Sequence, residues 1–291
     1  MTRYLVHHGT RFRYERPLTG QLLAHLLPRD TPTQQVVRSE ITVDPAPDER
    51  TDHVDAFGND ATYLALRQPH SELHVVATSE IVVTASRWPH QPATAWDLVV
   101  AGLHERHDSE AIVARWCTLD SPLVAATAAL RDYALPSFPV GRPLDEALTD
   151  LCHRIFTDFA FDPSATDVGT PLDIVLASRR GVCQDFAHLG IGCLRAMGLP
   201  ARYVSGYLET EPPEGQPRMI GADASHAWIA SYLPDFGWID FDPTNDNAPT
   251  RKTITVAWGR DYRDVAPLRG MLRGPATTQQ LDVSVDVQPL T

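Results

Sequence analysis

The spacing of apolar residues changes twice along the 291-residue chain, and these changes limit the folds that it can adopt. Up to about residue 85, stretches rich in β-branched and aromatic residues alternate with turn residues, a pattern typical of antiparallel strands. From there to about residue 200 the apolar residues recur mainly at helical spacing, and strand-like stretches follow to the C-terminus. A strand series, then helices, then a second strand series predicts an α+β protein.

The first strand series predicts a module of its own. Strands are expected in four stretches: RYLVHHGTRFRYERPL, QQVVRSEITVDPAP, VDAFGNDATYLALRQPH and ELHVVATSEIVVTA. The following SRWPHQPATAWDL has two prolines and no periodicity, which places a boundary near residues 86–98. We therefore predict an N-terminal antiparallel β-sandwich-like domain over residues 1–90. A second domain is predicted over residues 91–291, and it includes the C-terminal strands.

Three helices are expected in the region between the strand series, and the first is a short helix that Asp108 or Ser109 caps and that runs through Trp116. Ser121 followed by Pro122 is typical of a helix start, so a helix is predicted over the LVAATAALRDYAL that follows. A longer helix is predicted after Pro143. Its apolar residues form one stripe, namely Leu144, Leu148, Leu151, Ile155 and Phe159. Cys152 lies beside this stripe and is predicted to be a core residue.

Composition excludes several classes of function. The formal net charge of −12 argues against a nucleic-acid partner and against attachment to a membrane surface. The N-terminus does not resemble a signal peptide, and no run approaches the ~18 apolar residues of a membrane span, so a cytoplasmic location is predicted. The four cysteines include no CxxC pair, which favours reduced thiols. No metal site and no cofactor are predicted, because paired metal ligands and phosphate-binding loops are both missing.

One cysteine has a position that suits chemistry. The stretch SRRGVCQDFAHLGIGCLRAMGLP places Cys183 between a glycine turn and a helical run that stops at Gly198. Cys183 shares a helix face with Phe186 and Gly190, so it is predicted to point inward. The first turn of a helix favours negative charge, and the thiolate is the reactive form of cysteine. The helix position alone is equally consistent with a nucleophile and with a core residue.

Downstream, DASHAWIASYLPDFGWIDFDPTN predicts a hairpin with strands from His226 to Leu233 and from Trp238 to Asp242. A four-residue loop between these strands would place His226 and Asp242 on opposite faces. A three- or five-residue connection would place them on one face, about 5–8 Å apart as direct or diagonal neighbours. The sequence leaves both alternatives open.

On one face, the two residues would complete a catalytic triad. Cys183 would attack a carbonyl carbon, His226 would take and return the proton, and Asp242 would orient the imidazole ring. Asp240 competes with Asp242 for the orienting role.

Several segments together resemble the transglutaminase-like cysteine enzymes of bacteria. RRGVCQDFAHL is similar to the nucleophile segment of that family, and SHAWIASYLPDFGWIDFDPTN is similar to its histidine and aspartate segments. The N-terminal β region of the family is resembled by YLVHHGTRFRYERPL, LPRDTPTQ, DAFGN and HSELHVVATSEIVV, and its closing tail by GRDYRDVAPLRG. The resemblance implies a papain-like α+β core with Cys183, His226 and Asp242 as the triad. It prefers Asp242 over Asp240 because Asp242 precedes Pro-Thr.

Further site residues are predicted around this triad. The backbone N–H of Cys183 is a natural oxyanion donor at a helix start, and Gln184 is the adjacent candidate for a second donor. Trp228 shares the face of His226 and is a candidate substrate contact. The GRDY segment could return near the cleft and supply further contacts from Arg260, Asp261 or Tyr262, with a salt-bridged turn as the alternative.

These observations favour a cysteine-dependent acyl-transfer enzyme that forms a thioester on peptide or amide substrates. Hydrolysis of an amidase or protease type is expected first, and transfer of a glutamine acyl group to an amine, as in transglutaminases, is the alternative. A second class of function is a non-catalytic binding module with a vestigial triad, in which the N-terminal β region recruits a protein partner. A structural scaffold is the third.

Overall fold

The computed structural model describes residues 1–84, 92–210, 224–275 and 278–290. A six-stranded and a four-stranded antiparallel sheet dominate this part of the chain, and helices pack against the smaller sheet. The predicted α+β class is confirmed. The predicted boundary near residues 86–98 lies partly outside the described residues, and the division at residue 90 stays a prediction.

Two long strands form the centre of the larger sheet. β1 (Thr2–Ala24) pairs with β4 (Asp60–Val83) along almost its whole length. On the other edge of β4, β2 (Gln34–Asp44) pairs with one half of the strand and β3 (Glu49–Val54) pairs with the other half. The sheet therefore consists of two halves joined by β1 and β4.

The pairing of β1 with β4 shifts register twice, between Arg13 and Leu18 and between Leu18 and Gly20. Such irregularities bend a strand and allow it to pass from one layer to another. Apolar residues from both halves share one core cluster, which includes Leu18, Leu22, Ile41, Leu64, Leu66, Leu73 and Val75. The two halves thus face each other, which gives the module its sandwich-like character.

The last two strands join this N-terminal sheet. β11 (Leu268–Arg273) pairs with residues 19–24 of β1, and β12 (Gln279–Leu290) pairs with residues 3–14. The predicted second domain includes both strands, whereas their hydrogen bonds attach them to the first sheet. The physical reason is that β4 covers only one edge of β1, and the unpaired backbone groups on the other edge need partners.

The smaller sheet has the strand order β10–β7–β8–β9. Its strands are β7 (Ala201–Leu208), β8 (Ala224–Leu233), β9 (Gly237–Phe241) and β10 (Thr253–Gly259). The helices are α1 (Trp96–Gly102), α2 (Ser109–Trp116), α3 (Ala128–Ala134), α4 (Leu144–Asp158), α5 (Leu172–Ser178), α6 (Cys183–Ala196) and α7 (Tyr262–Val265). A short parallel pair, β5 (Ala160–Phe161) and β6 (Arg180–Gly181), leads into α6. In the described ranges, no helix is long and apolar enough to cross a bilayer.

Helix α6 lies within the hydrophobic core that the helices share with the smaller sheet, and almost all of its side chains are buried. A Cβ on Gly190 would lie 3.1 Å from Ile229 of β8, so the missing side chain lets the helix approach the sheet closely. The predicted apolar stripe of α4 is confirmed, because all five of its residues are buried. Cys152 is also buried, as predicted.

The helix start predicted at Pro122 is wrong, although a helix is present within the predicted segment. Ser121 and Val124 instead exchange backbone hydrogen bonds across a tight turn. The helix in this region, α3, begins six residues later, where the hydroxyl of Thr127 accepts the N–H of Leu130 as an N-cap. The cap at Thr127 and the turn at Ser121 together satisfy backbone groups that a longer helix would have paired internally.

Candidate active site

The turn before Cys183 determines where the thiol lies. Cys183 is the first residue of α6 and is half-buried. The buried carboxylate of Asp185 accepts the N–H of Val182 at 2.8 Å and the hydroxyl of Thr166 at 2.6 Å. A Cβ on Gly181 would lie 2.6 Å from Oδ2 of Asp185, so the turn needs glycine there. These contacts hold the thiol at a helix start, where free N–H groups favour negative charge.

The hairpin register places His226 and Asp242 on one face. Leu233 pairs with Gly237, so three residues, 234–236, connect β8 to β9. Of the alternatives left open by the sequence, the structure therefore has the three-residue connection. The last paired residues of the two strands are Ile229 and Phe241. If the same register is extended beyond this pair, His226 and Asp242 are diagonal neighbours.

The two side chains meet in a buried hydrogen bond. Nε2 of His226 lies 2.7 Å from Oδ2 of Asp242. The same oxygen accepts the side-chain amide of Asn245 at 2.7 Å, while Oδ1 accepts the backbone N–H groups of Thr244 at 3.0 Å and Asn245 at 3.3 Å. Asp242 is thus held in one orientation by the turn that follows it.

The side chains of His226 and Cys183 line the same cavity and lie close enough to interact electrostatically. Because Nε2 is directed to Asp242, Nδ1 is the ring nitrogen that remains for the thiol. Burial by itself would lower the pKa of His226, but the hydrogen bonds and negative charges of Asp242 and Cys183 outweigh it and raise that pKa to about 10. The ring therefore favours the imidazolium form at neutral pH, which suits a thiolate partner.

Asp240 lies elsewhere. It is half-buried and lines a second cavity of about 450 Å³ together with Arg202. Burial raises the pKa of Asp240 to about 6, although the charge of Arg202 acts in the opposite direction. The structure brings Asp242, rather than Asp240, to the imidazole of His226.

A cavity of about 560 Å³ opens onto Cys183 and His226, in the size range of small-molecule sites. One wall comes from the smaller sheet and α7, with Tyr203, Ser205 and Tyr262. The opposite wall comes from the N-terminal sheet. The candidate site thus lies where the two sheets meet.

Of the four predicted substrate contacts, Tyr262 lines this cavity and the others lie outside its lining. Trp228 is fully buried in the back of the smaller sheet. Arg260 is bound to Asp264 at 3.0 Å. Asp261 is fully buried, and its carboxylate accepts two backbone N–H groups, one of them as the N-cap of α7. These three side chains differ from the prediction because each is already committed to packing or capping.

The predicted oxyanion donors lie at the first two positions of α6. The side chain of Gln184 donates to the carbonyl of Val168 at 3.1 Å, so only its backbone N–H faces the helix start. Backbone N–H groups at these positions have no acceptor within the helix. Both Cys183 and Gln184 line the cavity.

Sequence reasoning missed three residues at the site. Tyr203 lines the cavity, and burial followed by the charge of Cys183 raises the pKa of its hydroxyl well above the usual value, so it remains a donor. Nothing in the strand ARYVSGYL signals this role. Asp185 is an acidic residue in the first turn of a helix, a favoured position, and Asn245 follows Asp-Pro-Thr in a turn, so both had local signals.

The chain belongs to the transglutaminase-like superfamily. Residues 4–82 match the bacterial transglutaminase-like N-terminal region, and residues 139–243 match the transglutaminase-like superfamily core. The predicted family resemblance is therefore confirmed.

Its relatives include proteins that match along the whole chain. An uncharacterized protein of Mycobacterium tuberculosis H37Rv is 42% identical over 299 residues, which cover 99% of this chain and 93% of the relative. A protein-glutamine gamma-glutamyltransferase of Pseudomonas aeruginosa is 35% identical over 94 residues, which cover 32% of this chain and 14% of that protein. A crystal structure from Cytophaga hutchinsonii, named as a candidate cysteine protease, covers 100% of this chain and 91% of its own, with a TM-score of 0.77 and 19% identity. This structural likeness shows a shared fold.

Proposed function

We propose that this protein is a cysteine-dependent acyl-transfer enzyme that hydrolyses peptide or amide bonds. The observation that carries the proposal is the arrangement of three side chains, in which Asp242 is hydrogen-bonded to His226, and His226 lines one cavity with Cys183 and interacts with it. A nucleophile, a base and a group that orients the base are the elements of covalent acyl transfer.

In the first half of the reaction, the thiolate of Cys183 attacks the carbonyl carbon of the substrate. The C–S bond forms and the carbonyl π electrons move to oxygen, where the N–H groups at the start of α6 can stabilise the charge. The imidazolium of His226 then gives its proton to the leaving nitrogen as the C–N bond breaks. A thioester on Cys183 and a free amine result.

In the second half, His226 takes a proton from water while the water oxygen attacks the thioester carbon. The C–S bond breaks, the thiolate returns, and His226 is again an imidazolium as the carboxylic acid leaves. Asp242 keeps Nε2 engaged throughout, so Nδ1 stays directed to the reacting atoms.

Water is proposed as the acceptor because of the groups that line the cavity. Besides the Cys183–His226 pair, the walls are made of apolar, hydroxyl, amide and neutral imidazole groups in the described part of the chain. Such walls suit an uncharged acceptor. A charged ammonium would need a compensating carboxylate when it leaves water.

The proposal is tested by incubating the protein with a set of N-acetyl peptide amides and searching for an acyl group on Cys183 by mass spectrometry. We expect a thioester on Cys183 and release of ammonia or amine. The Cys183→Ala variant should form no thioester and should release neither ammonia nor amine. The binding module with a vestigial triad would be favoured if no peptide amide gave an acyl-enzyme or turnover and if iodoacetamide labelled all four cysteines equally slowly.

Transfer to an amine is the second candidate, and the match to a Pseudomonas aeruginosa protein-glutamine gamma-glutamyltransferase supports it. The two candidates separate when a primary-amine probe is added to the same reaction. Incorporation of the probe into a glutamine-containing peptide in preference to formation of the acid would favour the transferase. The cytoplasmic location and a protein partner for the N-terminal β region stay predictions.

A further inference from the structure

We infer that the N-terminal sheet supplies a subsite for an apolar side chain of the substrate, next to the thiol. This inference rests on the proposed function of Cys183. It assigns the N-terminal β region a role in substrate selection, and it names the substrate class as peptides or amides with an aliphatic or aromatic side chain beside the reacting carbonyl.

A stripe of side chains on one face of the sheet carries the inference. In the register of β1 with β12, Val6 lies opposite Val287 and His8 lies opposite Val285. All four side chains are buried, and three of them belong to the core shared with α6 and the smaller sheet. This end of the stripe attaches the N-terminal sheet to the catalytic core.

The same stripe continues beyond that contact. The next pairs along the two strands are Thr10 with Val283 and Phe12 with Leu281, and period two places them on the same face. Leu281 and Val283 are 52% and 53% exposed, and both line the cavity that contains Cys183. Large apolar side chains that stay this open in a cleft are typical of a binding surface.

The wall between these pairs and the thiol carries no net charge. Nδ1 of His8 lies 2.9 Å from the hydroxyl of Tyr207, and Nε2 lies 3.2 Å from the hydroxyl of Thr10. Burial lowers the pKa of His8 to about 4, so the ring is neutral at physiological pH. An apolar group lies better against this wall than a charged one, because a charge would lose hydration without gaining a partner.

The residues come from strands at opposite ends of the chain, which pair only in the folded protein. Leu268 and Leu272 of β11 extend the same lining on the neighbouring part of the sheet. The pairing of the C-terminal strands with β1 therefore places their side chains at the cavity that contains the thiol. Their apolar residues complete the wall opposite the thiol.

The inference is tested with two chloromethyl ketones, N-acetyl-phenylalanyl and N-acetyl-glycyl, which differ only in the side chain. The second-order rate of alkylation of Cys183 is measured for each by mass spectrometry. We expect the phenylalanyl probe to react about tenfold faster or more, since burial of a benzyl group supplies a factor of that size. In Leu281→Gln/Val283→Thr the rate with the phenylalanyl probe should fall toward the rate with the glycyl probe in the same variant, so that the ratio approaches one.

Val54→Thr is the matched control, because Val54 is an exposed apolar residue of β3 in the same sheet and lies outside the cavity lining. It should keep the wild-type ratio. The single variant Leu281→Gln gives a second measurement, and both mutated side chains are exposed, so folding is expected to survive.

Iodoacetamide, which has no side chain to place, separates the two proposals. Suppose that iodoacetamide labels Cys183 in preference to the other cysteines. A ratio of the phenylalanyl to the glycyl rate near one in the wild type, or the same ratio in the double variant as in the wild type, then overturns the subsite. If iodoacetamide labels Cys183 in the wild type no faster than the other three cysteines, both the proposed function and the subsite are overturned.

Discussion

Nε2 of His226 lies 2.7 Å from Oδ2 of Asp242, although β9 ends one residue before the aspartate. The contact depends on the three-residue connection between the strands, which makes the two residues diagonal neighbours. Beyond the strand, the turn at Thr244 and Asn245 holds the carboxylate by two backbone N–H groups and one side-chain amide. The imidazole is oriented by a hairpin and its following turn.

Removing the charge of Asp242 should weaken the pairing of His226 with Cys183. In Asp242→Asn the imidazolium loses the negative charge that helps to raise its pKa, and one pKa unit corresponds to a tenfold change in the protonation equilibrium. We expect the rate of Cys183 alkylation by iodoacetamide at neutral pH to fall about tenfold or more. Asp240→Asn is the control, because Asp240 faces Arg202. Equal effects of the two variants would contradict this assignment.

The raised pKa of His226 also predicts a pH-dependent stability. A group whose pKa is higher in the folded state stabilises the protein fully below its unfolded value, here 6.5, and loses that contribution as the pH rises through about 10. The difference in free energy of unfolding between wild type and His226→Gln should therefore be largest below pH 6.5 and should fall to a pH-independent remainder as the pH rises through about 10. Urea unfolding at about pH 6, 8 and 10 measures it. A difference that grows with pH would refute the prediction.

Selective alkylation should distinguish Cys183 from the other three cysteines. Burial raises the pKa of Cys117 to about 11 and that of Cys193 to about 12, and it also raises the pKa of the buried Cys152. The thiolate is the nucleophile, so these three should stay unlabelled in the folded protein while Cys183 reacts. Peptide mapping after limited treatment with iodoacetamide checks this. Unfolding in urea is the control and should make all four react.

Tyr203 is predicted to stabilise the oxyanion. In Tyr203→Phe we expect acylation of Cys183 by a peptide amide to slow about a hundredfold, the usual effect of losing one oxyanion donor. Alkylation by iodoacetamide forms no oxyanion and should be unchanged. Tyr14→Phe, in the opposite wall of the cavity, is the matched control. Parallel losses in both reactions would indicate a structural role for Tyr203 instead.

The turn before Cys183 should tolerate only glycine at residue 181. In Gly181→Ala the new Cβ would lie 2.6 Å from Oδ2 and 2.8 Å from Cβ of Asp185, whose carboxylate is already held by two donors. We expect destabilisation by about 1–3 kcal/mol together with slower alkylation of Cys183. Gly102→Ala is the control, since a Cβ there meets nothing within 4 Å. Thermal unfolding of both variants measures the difference.

Local patterns were sufficient to predict several elements and residues. The stripe of α4, the helix that begins at Cys183 and the strands of the hairpin follow from spacing over a few turns or pairs, and the structure has all of them. The helix start placed at Pro122 failed because a proline at a first helical position competes there with a tight turn at Ser121. Where a sequence favours a helix start and a tight turn about equally, tertiary contacts decide which of the two forms.

Residues far apart in sequence were harder to predict. Tyr203 gave no local signal, and Trp228 shares the predicted strand face but is covered by the packing of the smaller sheet. The apolar wall of Phe12 and Leu281 exists only because β12 pairs with β1. Such contacts depend on which sheet edges are free after the rest of the chain has folded.

Short patterns of side chains are enough to indicate the family, the α+β class and the candidate residues Cys183, His226 and Asp242. Long-range contacts are needed to show that His226 bonds Asp242 and not Asp240, and that the N-terminal sheet forms a wall of the cavity. Shortening the loop between β8 and β9 by one residue reverses which side chains share a face. The pairing of β12 with β1 depends on which sheet edges the rest of the fold leaves free.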